Sequence, residues 1–284
     1  MRSLRFRMNE RVDVPRAVRF LRTELRLVGV METVRVAFDY WRPPRAHWWY
    51  APLAHAVGGR KALEVGGPSR TFQADGQTPV YPFLRSWDNV DFVARTIWTP
   101  DRAPESRTVS NGSTTGAQMW LEAASLTAIP TGTYGLVLSS HVLEHLANPL
   151  RALREWKRVL VPGGLLLTVV PEGARSFDHA RPATTVDHIR SDFDASVGED
   201  HLGHLDEVLR LHDLSMDPGA GTRAAWAEKC RRNPEFRSMH HHVFTTESLE
   251  AVLGLAGFRP VLSFRVPPSS LLTLARSETT DGAS

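Results

Sequence analysis

Two stretches, "YGLVLSS" (Tyr134–Ser140) and "GGLLLTVVP" (163–171), limit the fold more than anything else in the chain. Each is apolar on consecutive rather than alternate residues, so as a strand it must be covered on both faces. Between them "LANPLRALREWKRVL" reads as an amphipathic helix, completing a strand–helix–strand unit suited to a parallel pair. The rhythm continues in both directions. "KALEVG", a weaker "NVDFVA" and "AQMWLEA" precede the unit; "TTESLEAVLGLAGF" follows as a helix with a Thr cap and a closing glycine, then "RPVLSFRV" and "SSLLTLARS" as final strands. The predicted fold is α/β: a doubly wound, mostly parallel sheet whose ligands bind at the carboxyl ends of the strands.

Two regions break the rhythm. Within 1–60, "PRAVRFLRTELRLVGVMETVRVAFDY" puts Val18, Leu21, Leu25 and Val28 at helical spacing, which predicts an N-terminal helical cap whose apolar stripe packs on the core or on a second copy of the chain. Residues 172–242 are polar and hold eight of the twelve histidines, and read as an insertion over the strand ends inside a domain spanning 61–277. Residues 278–284 read as a flexible tail.

The 284 residues suffice for one substantial core, and 42% hydrophobic with 23% charged residues is an ordinary globular composition. The net charge of +3 is carried almost wholly by Arg, with Lys only at Lys61, Lys157 and Lys229, and no nucleic-acid recognition motif accompanies it. Nucleic acid is therefore not an expected partner. The single Cys230 excludes an internal disulfide and a cysteine-built zinc site, as expected of a reducing cytoplasm. No run approaches the roughly 20 apolar residues of a membrane span, so stable membrane insertion is not expected.

At the first strand "LEVGGPSR" runs into a loop with two glycines, Gly66 and Gly67, followed by Pro68 and Ser69, which can open a helical turn facing a ligand. The third glycine of a dinucleotide loop is absent, which makes a nicotinamide dehydrogenase the weakest reading.

The segment Tyr134 to Glu172 resembles the fourth strand, following helix and fifth strand of class I S-adenosylmethionine-dependent methyltransferases, through Ser139, Ser140, Leu143, Glu144, His145 and Pro162–Gly163–Gly164. With "LEVGG" and "EAASLTAIPTGTYG", the resemblance covers roughly Lys61 to Pro171. It departs at Gly135, where the family usually has Asp, and at Pro68 and Arg70, where it often has Gly. It implies a Rossmann-like, seven-stranded sheet with S-adenosylmethionine as cofactor and the insertion following strand five as a substrate lid. It also implies that Glu64 complements the methionine ammonium, with Gly66, Gly67 and Ser69 in the loop, Asp91 on the ribose ahead of Asp88, Glu122 and Ala123 beside the adenine, and Ser139, Ser140 and His141 on the other side.

Methyl transfer to a hydroxyl needs a base above the strand ends, and the insertion supplies candidates. His179, Asp178, His188, His204 and His241 are the expected catalytic groups; Arg181 and His201 are the expected substrate-binding ones, His201 and His204 sharing a helix face. A divalent ion held by Asp and His is a second use of such residues, but "GEDHLGHLD" has no recognised metal spacing, so no metal ligand is assigned. The motifs "FDHARP", "GEDHLGHLDEVLRLHDLSMDP" and "HHHVF" resemble bacterial methyltransferase-like proteins of surface-glycan or sugar-bearing metabolite assembly, which implies O-methylation of a small polar or glycosylated acceptor. N- or C-methylation on the same scaffold, and a non-catalytic cofactor-fold protein binding a partner through its basic N-terminal helix, are the rival readings.

Overall fold

The computed structural model describes residues 30–31, 33–34, 37–38, 42–93, 108–110 and 115–279. Of the helix expected over 15–40, the described pieces are helical, and the remainder, with any dimer contact through it, lies outside the described residues. So does the tail beyond 279.

The sheet comprises β1 (Lys61–Val65), β2 (Ser86–Asp91), β3 (Thr108–Ser110), β4 (Thr115–Trp120), β5 (Tyr134–Ser140), β6 (Leu160–Pro171), β7 (Phe258–Val266) and β8 (Ser270–Ser277). Their order is β3-β4-β2-β1-β5-β6-β8-β7. All seven expected strands are present, and the three-residue β3, antiparallel to β4, adds an eighth at the edge. β4, β2, β1, β5 and β6 pair in parallel, whereas β8 runs antiparallel between β6 and β7. Strand order reverses at β1, which lies between β2 and β5, so a crevice opens beyond the carboxyl ends of β1 and β5.

Both faces of the sheet are covered, as the continuous apolar strands require. On one face α1 (Tyr50–Val57) buries Leu53 and Val57 with Phe72, Tyr81 and Trp87. Trp49, shortly after Pro43–Pro44, stacks on Phe264 at 5.0 Å between ring centroids, so it closes a core edge. On the other face lie α2 (Pro149–Val159) and α7 (Thr246–Leu255). α2 starts where Asn148 accepts the Arg151 N–H at 3.0 Å with Pro149 in its first turn, and Leu150, Leu153 and Trp156 share its buried stripe. α7 opens on a capping box between Thr245 and Ser248.

The insertion contributes α3 (Val186–Asp194), α4 (Leu205–Leu211), α5 (Arg223–Arg231) and α6 (Asn233–Phe236). It has a small core of its own around Val208, Trp226, Cys230 and Met239. Cys230 is a free thiol with no accessible surface, and burial pushes its pKa up to about 12. No described helix is long and apolar enough to cross a membrane.

Trp156 is fully buried and donates its Nε1–H to the Ala123 carbonyl at 3.0 Å, tying α2 to the chain after β4. Trp156→Ala is expected to destabilise the fold by about 3–5 kcal/mol in urea denaturation, against less than about 1.5 kcal/mol for Leu262→Met at the partly exposed edge.

Candidate functional site

A cavity of about 680 Å³ opens at the crevice, lined among others by Gly66, Ser69, Asp91, Phe92, Glu122 and Ala123 on one side and by Ser140, His141, Glu144, His145, Phe177, Arg237 and His240 on the other. That size accommodates one small-molecule cofactor with room for an acceptor.

The first-strand loop is built from below. Glu64 has no exposed surface; its carboxylate accepts the Ser69 N–H at 2.9 Å and the Tyr81 hydroxyl at 2.6 Å, and burial with that neighbouring charge raises the Tyr81 phenol far above its usual range. A Cβ on Gly67 would overlap this carboxylate, and Gly66 lies at φ 80° against Val142, so both glycines are required for close approach. Asn89 closes the other flank, accepting the Gly67 N–H and donating to its carbonyl, both at 2.9 Å. Glu64 therefore braces the loop from behind and does not line the cavity, in contrast to the expected contact with a ligand ammonium.

The other expected cofactor residues divide. Gly66, Ser69, Asp91, Glu122, Ala123, Ser140 and His141 line the cavity; Gly67 and Ser139 do not. Asp91 ends β2 at the rim, whereas Asp88 faces back to Tyr134 (2.9 Å) and Lys61 (3.5 Å).

The insertion residues are rearranged relative to expectation. His179 pairs with Asp213 at 3.1 Å, outside the cavity walls. His188 and His204 meet each other at 3.1 Å, also outside them. His201 and His204 do not share a helix face, because α4 begins only at Leu205. His241 is fully buried against Asn233 (3.1 Å) and does not line the cavity. Arg181 cannot reach a ligand: its buried guanidinium is used by Asp178 (3.0 Å), Glu207 (2.7 Å) and the His240 and His241 carbonyls (3.0 and 3.3 Å).

His240, which sequence reasoning passed over in favour of His241, is the histidine of the insertion that lines the cavity. Its Nδ1 lies 2.6 Å from Asp178 Oδ2, and Asp178 is itself held by Arg181. Burial alone would raise the Asp178 carboxyl, but the His240 and Arg181 charges prevail and hold it down at about 2. Burial likewise would lower His240, but Asp178 prevails and raises it. Beside the pair, burial and His240 lower His145 to about 4, so it stays neutral. Burial would raise Glu144, but its hydrogen bond to His141, with the charge of that ring and of His240, prevails and keeps its pKa low. A further rim residue missed from sequence is Arg237, in the left-handed region at φ 49°, which pairs with Glu122 (3.0 Å) and Glu199 and lies 4.8 Å over Phe92. Isolated cations in a polar insertion carry no periodic signal, so nothing in the local sequence marks it.

Part of the chain matches a methyltransferase domain. The family model of that description matches residues 86–168, from the start of β2 to within β6, including Asp91, Glu122, Ala123 and the strand end Ser139 to His145. β1 and the insertion lie outside the match. No curated protein matches the chain. Among solved structures it is similar to the 1,6-didemethyltoxoflavin-N1-methyltransferase of Burkholderia thailandensis with bound 1,6-didemethyltoxoflavin and S-adenosylhomocysteine: 16% identity, TM-score 0.45, covering 95% of this chain and 93% of that one. It is also similar to the N-methyltransferase NodS of Bradyrhizobium japonicum with S-adenosylhomocysteine (14%, 0.43, 92% and 100%) and to the CurJ carbon methyltransferase (12%, 0.43, 90% and 61%).

The depressed Asp178 carboxyl links this site to stability. The folded Asp178 value of about 2 lies below the unfolded value near 3.9, so its contribution, of the order of 2 kcal/mol, is present above about pH 4 and is lost as pH falls towards 2. Acid denaturation followed by circular dichroism is expected to show Asp178→Asn less stable at neutral pH, with the difference from the unmodified chain shrinking below pH about 4.

Proposed function

We propose that the protein is an S-adenosylmethionine-dependent O-methyltransferase acting on a small polar acceptor, with His240 as general base and Asp178 as its orienting partner. The observation that carries the reading is the Asp178–His240 pair, 2.6 Å apart, with the imidazole in the cavity wall at the strand ends. The loop, Asp91, Glu122, Ala123, Ser140 and His141 would hold the cofactor. The fit is electrostatic as well as steric: Glu122 is matched by Arg237, while Asp91 and Glu144 in the wall favour a sulfonium and an ammonium, and the tightly packed Gly66–Gly67 turn needs no third glycine because there is no pyrophosphate to cradle.

When bound, S-adenosylmethionine supplies a methyl group on a sulfonium, which leaves as a neutral thioether. The chain supplies the proton path. Once His240 has lost its proton, with Nδ1–H still donated to Asp178, its Nε2 lone pair would accept the acceptor hydroxyl proton. Asp178 then stabilises the imidazolium, and Arg181 keeps Asp178 ionised. Neutral His145 stands beside His240, its Nδ1 3.2 Å from the Met239 carbonyl, and their rings meet edge to face at 4.5 Å, which limits rotation of the base. The insertion 172–242 supplies Phe177, Arg237 and His240 to the cavity wall and would serve as the lid over the acceptor.

Calorimetric titration of the full chain with S-adenosylhomocysteine tests the cofactor reading. Micromolar or tighter binding is expected, weakened about tenfold or more in Asp91→Ala; absence of binding by the unmodified chain overturns it. For the base, His240→Gln is expected to lower turnover of a hydroxyl acceptor, glycosides included, about 10²–10⁴-fold while S-adenosylhomocysteine binding stays within about threefold. Unchanged turnover with an amine acceptor in the same variant would instead assign transfer to nitrogen.

A further inference from the structure

Away from the cavity, three imidazoles and a carboxylate converge within and beneath the insertion. His188 and Asp192 sit one turn apart on α3, His204 caps α4, and His242 comes from the segment before α7; their donor atoms lie within 4.8 Å of one another. His188 Nε2 is 3.1 Å from His204 Nε2 and 3.2 Å from Asp192 Oδ2. None of the four lines the cavity.

Hydrogen bonding does not account for the grouping. Two ring nitrogens facing each other can share one proton only. Asp192 Oδ2 and His242 Nδ1 are both buried, and neither is satisfied by a hydrogen bond. His242 Nε2 lies 3.4 Å from the Ala147 carbonyl, which places the ring proton there and leaves the lone pair on Nδ1. A backbone carbonyl fixing the tautomer of one imidazole nitrogen, with the other nitrogen free and buried, is the usual environment of a metal-ligating histidine.

We propose that His188, Asp192, His204 and His242 hold a structural Zn²⁺ ion that clamps α3 and α4 to the segment carrying His240. Three nitrogens and one oxygen match the ligand types and number of a closed tetrahedral site. Zinc–ligand bonds of about 2.0–2.1 Å place ligands about 3.3 Å apart, close to the His188–His204 and His188–Asp192 separations. The cation also supplies counter-charge to the buried Asp192 carboxylate. The site is separate from methyl transfer and stands whether or not that reading does.

The test is metal analysis of the full chain purified without a polyhistidine tag, with thermal unfolding of the same samples. About one zinc per chain is expected, with a fall in melting temperature on chelation that Zn²⁺ restores, and an intense visible band on Co²⁺ substitution as for four-coordinate sites. His188→Ala, at a half-exposed side chain where the fold tolerates truncation, and Asp192→Asn should each weaken zinc binding at least about tenfold. His179→Gln, in the same insertion but paired with Asp213, and His145→Gln, in the cavity wall, should keep it. A chain that is zinc-free as isolated and takes up none on titration overturns the proposal. So does zinc retained in His188→Ala and Asp192→Asn, or lost in His145→Gln, which would move the ion to the cavity.

Discussion

The buried charge of Asp178 is the constraint on which the arrangement around the cavity depends. A carboxylate with 3% side-chain exposure is tolerable only if its oxygens are matched by cationic or hydrogen-bonding partners. Here Arg181 takes one oxygen and His240 the other, and Arg181 reaches on to the carbonyls of His240 and His241. One ion pair thus fixes both the orientation of the cavity-facing ring and the path of the backbone that carries it. Removing either partner would leave one buried carboxylate oxygen unmatched, so the insertion and the strand ends are held in one geometry by interior pairing rather than by surface contact.

The loop after β1 shows the same logic on the opposite wall. Glu64, Tyr81 and Asn89 are buried polar groups that satisfy one another and the loop amides, so the loop is shaped before any ligand arrives. Preorganisation of this kind removes an ordering cost from binding. It also explains why an acidic residue in the middle of an apolar strand need not be a ligand contact: each of its two oxygens accepts a hydrogen bond within the protein.

The sheet was readable because burial on both faces leaves a continuous apolar signature, which "YGLVLSS" and "GGLLLTVVP" display without ambiguity. β3 was not, since three residues at an edge carry no period. At the site, strand-end positions such as Asp91, Ser140 and His141 could be assigned because strand ends point into the crevice whatever the side chain. The insertion resisted for the opposite reason. In "HHHVF", three identical residues differ only in direction, and direction is set by Arg181 and Asn233, which are remote in sequence. His241 looked central in the string yet is the one turned towards Asn233. Arg181, expected to bind substrate, is committed to internal ion pairs that composition alone could not reveal.

Cys230 adds a practical property. Its thiol is buried in the insertion's small core and its pKa is about 12, so almost none of it is thiolate at neutral pH and none of its surface meets solvent. Among the described residues, then, the protein presents a chemical blank to thiol-directed reagents. A cysteine introduced on α3, or at the cavity rim, would react alone, and fluorescent or spin labels placed there would report the movement of the insertion against the sheet without a background to subtract.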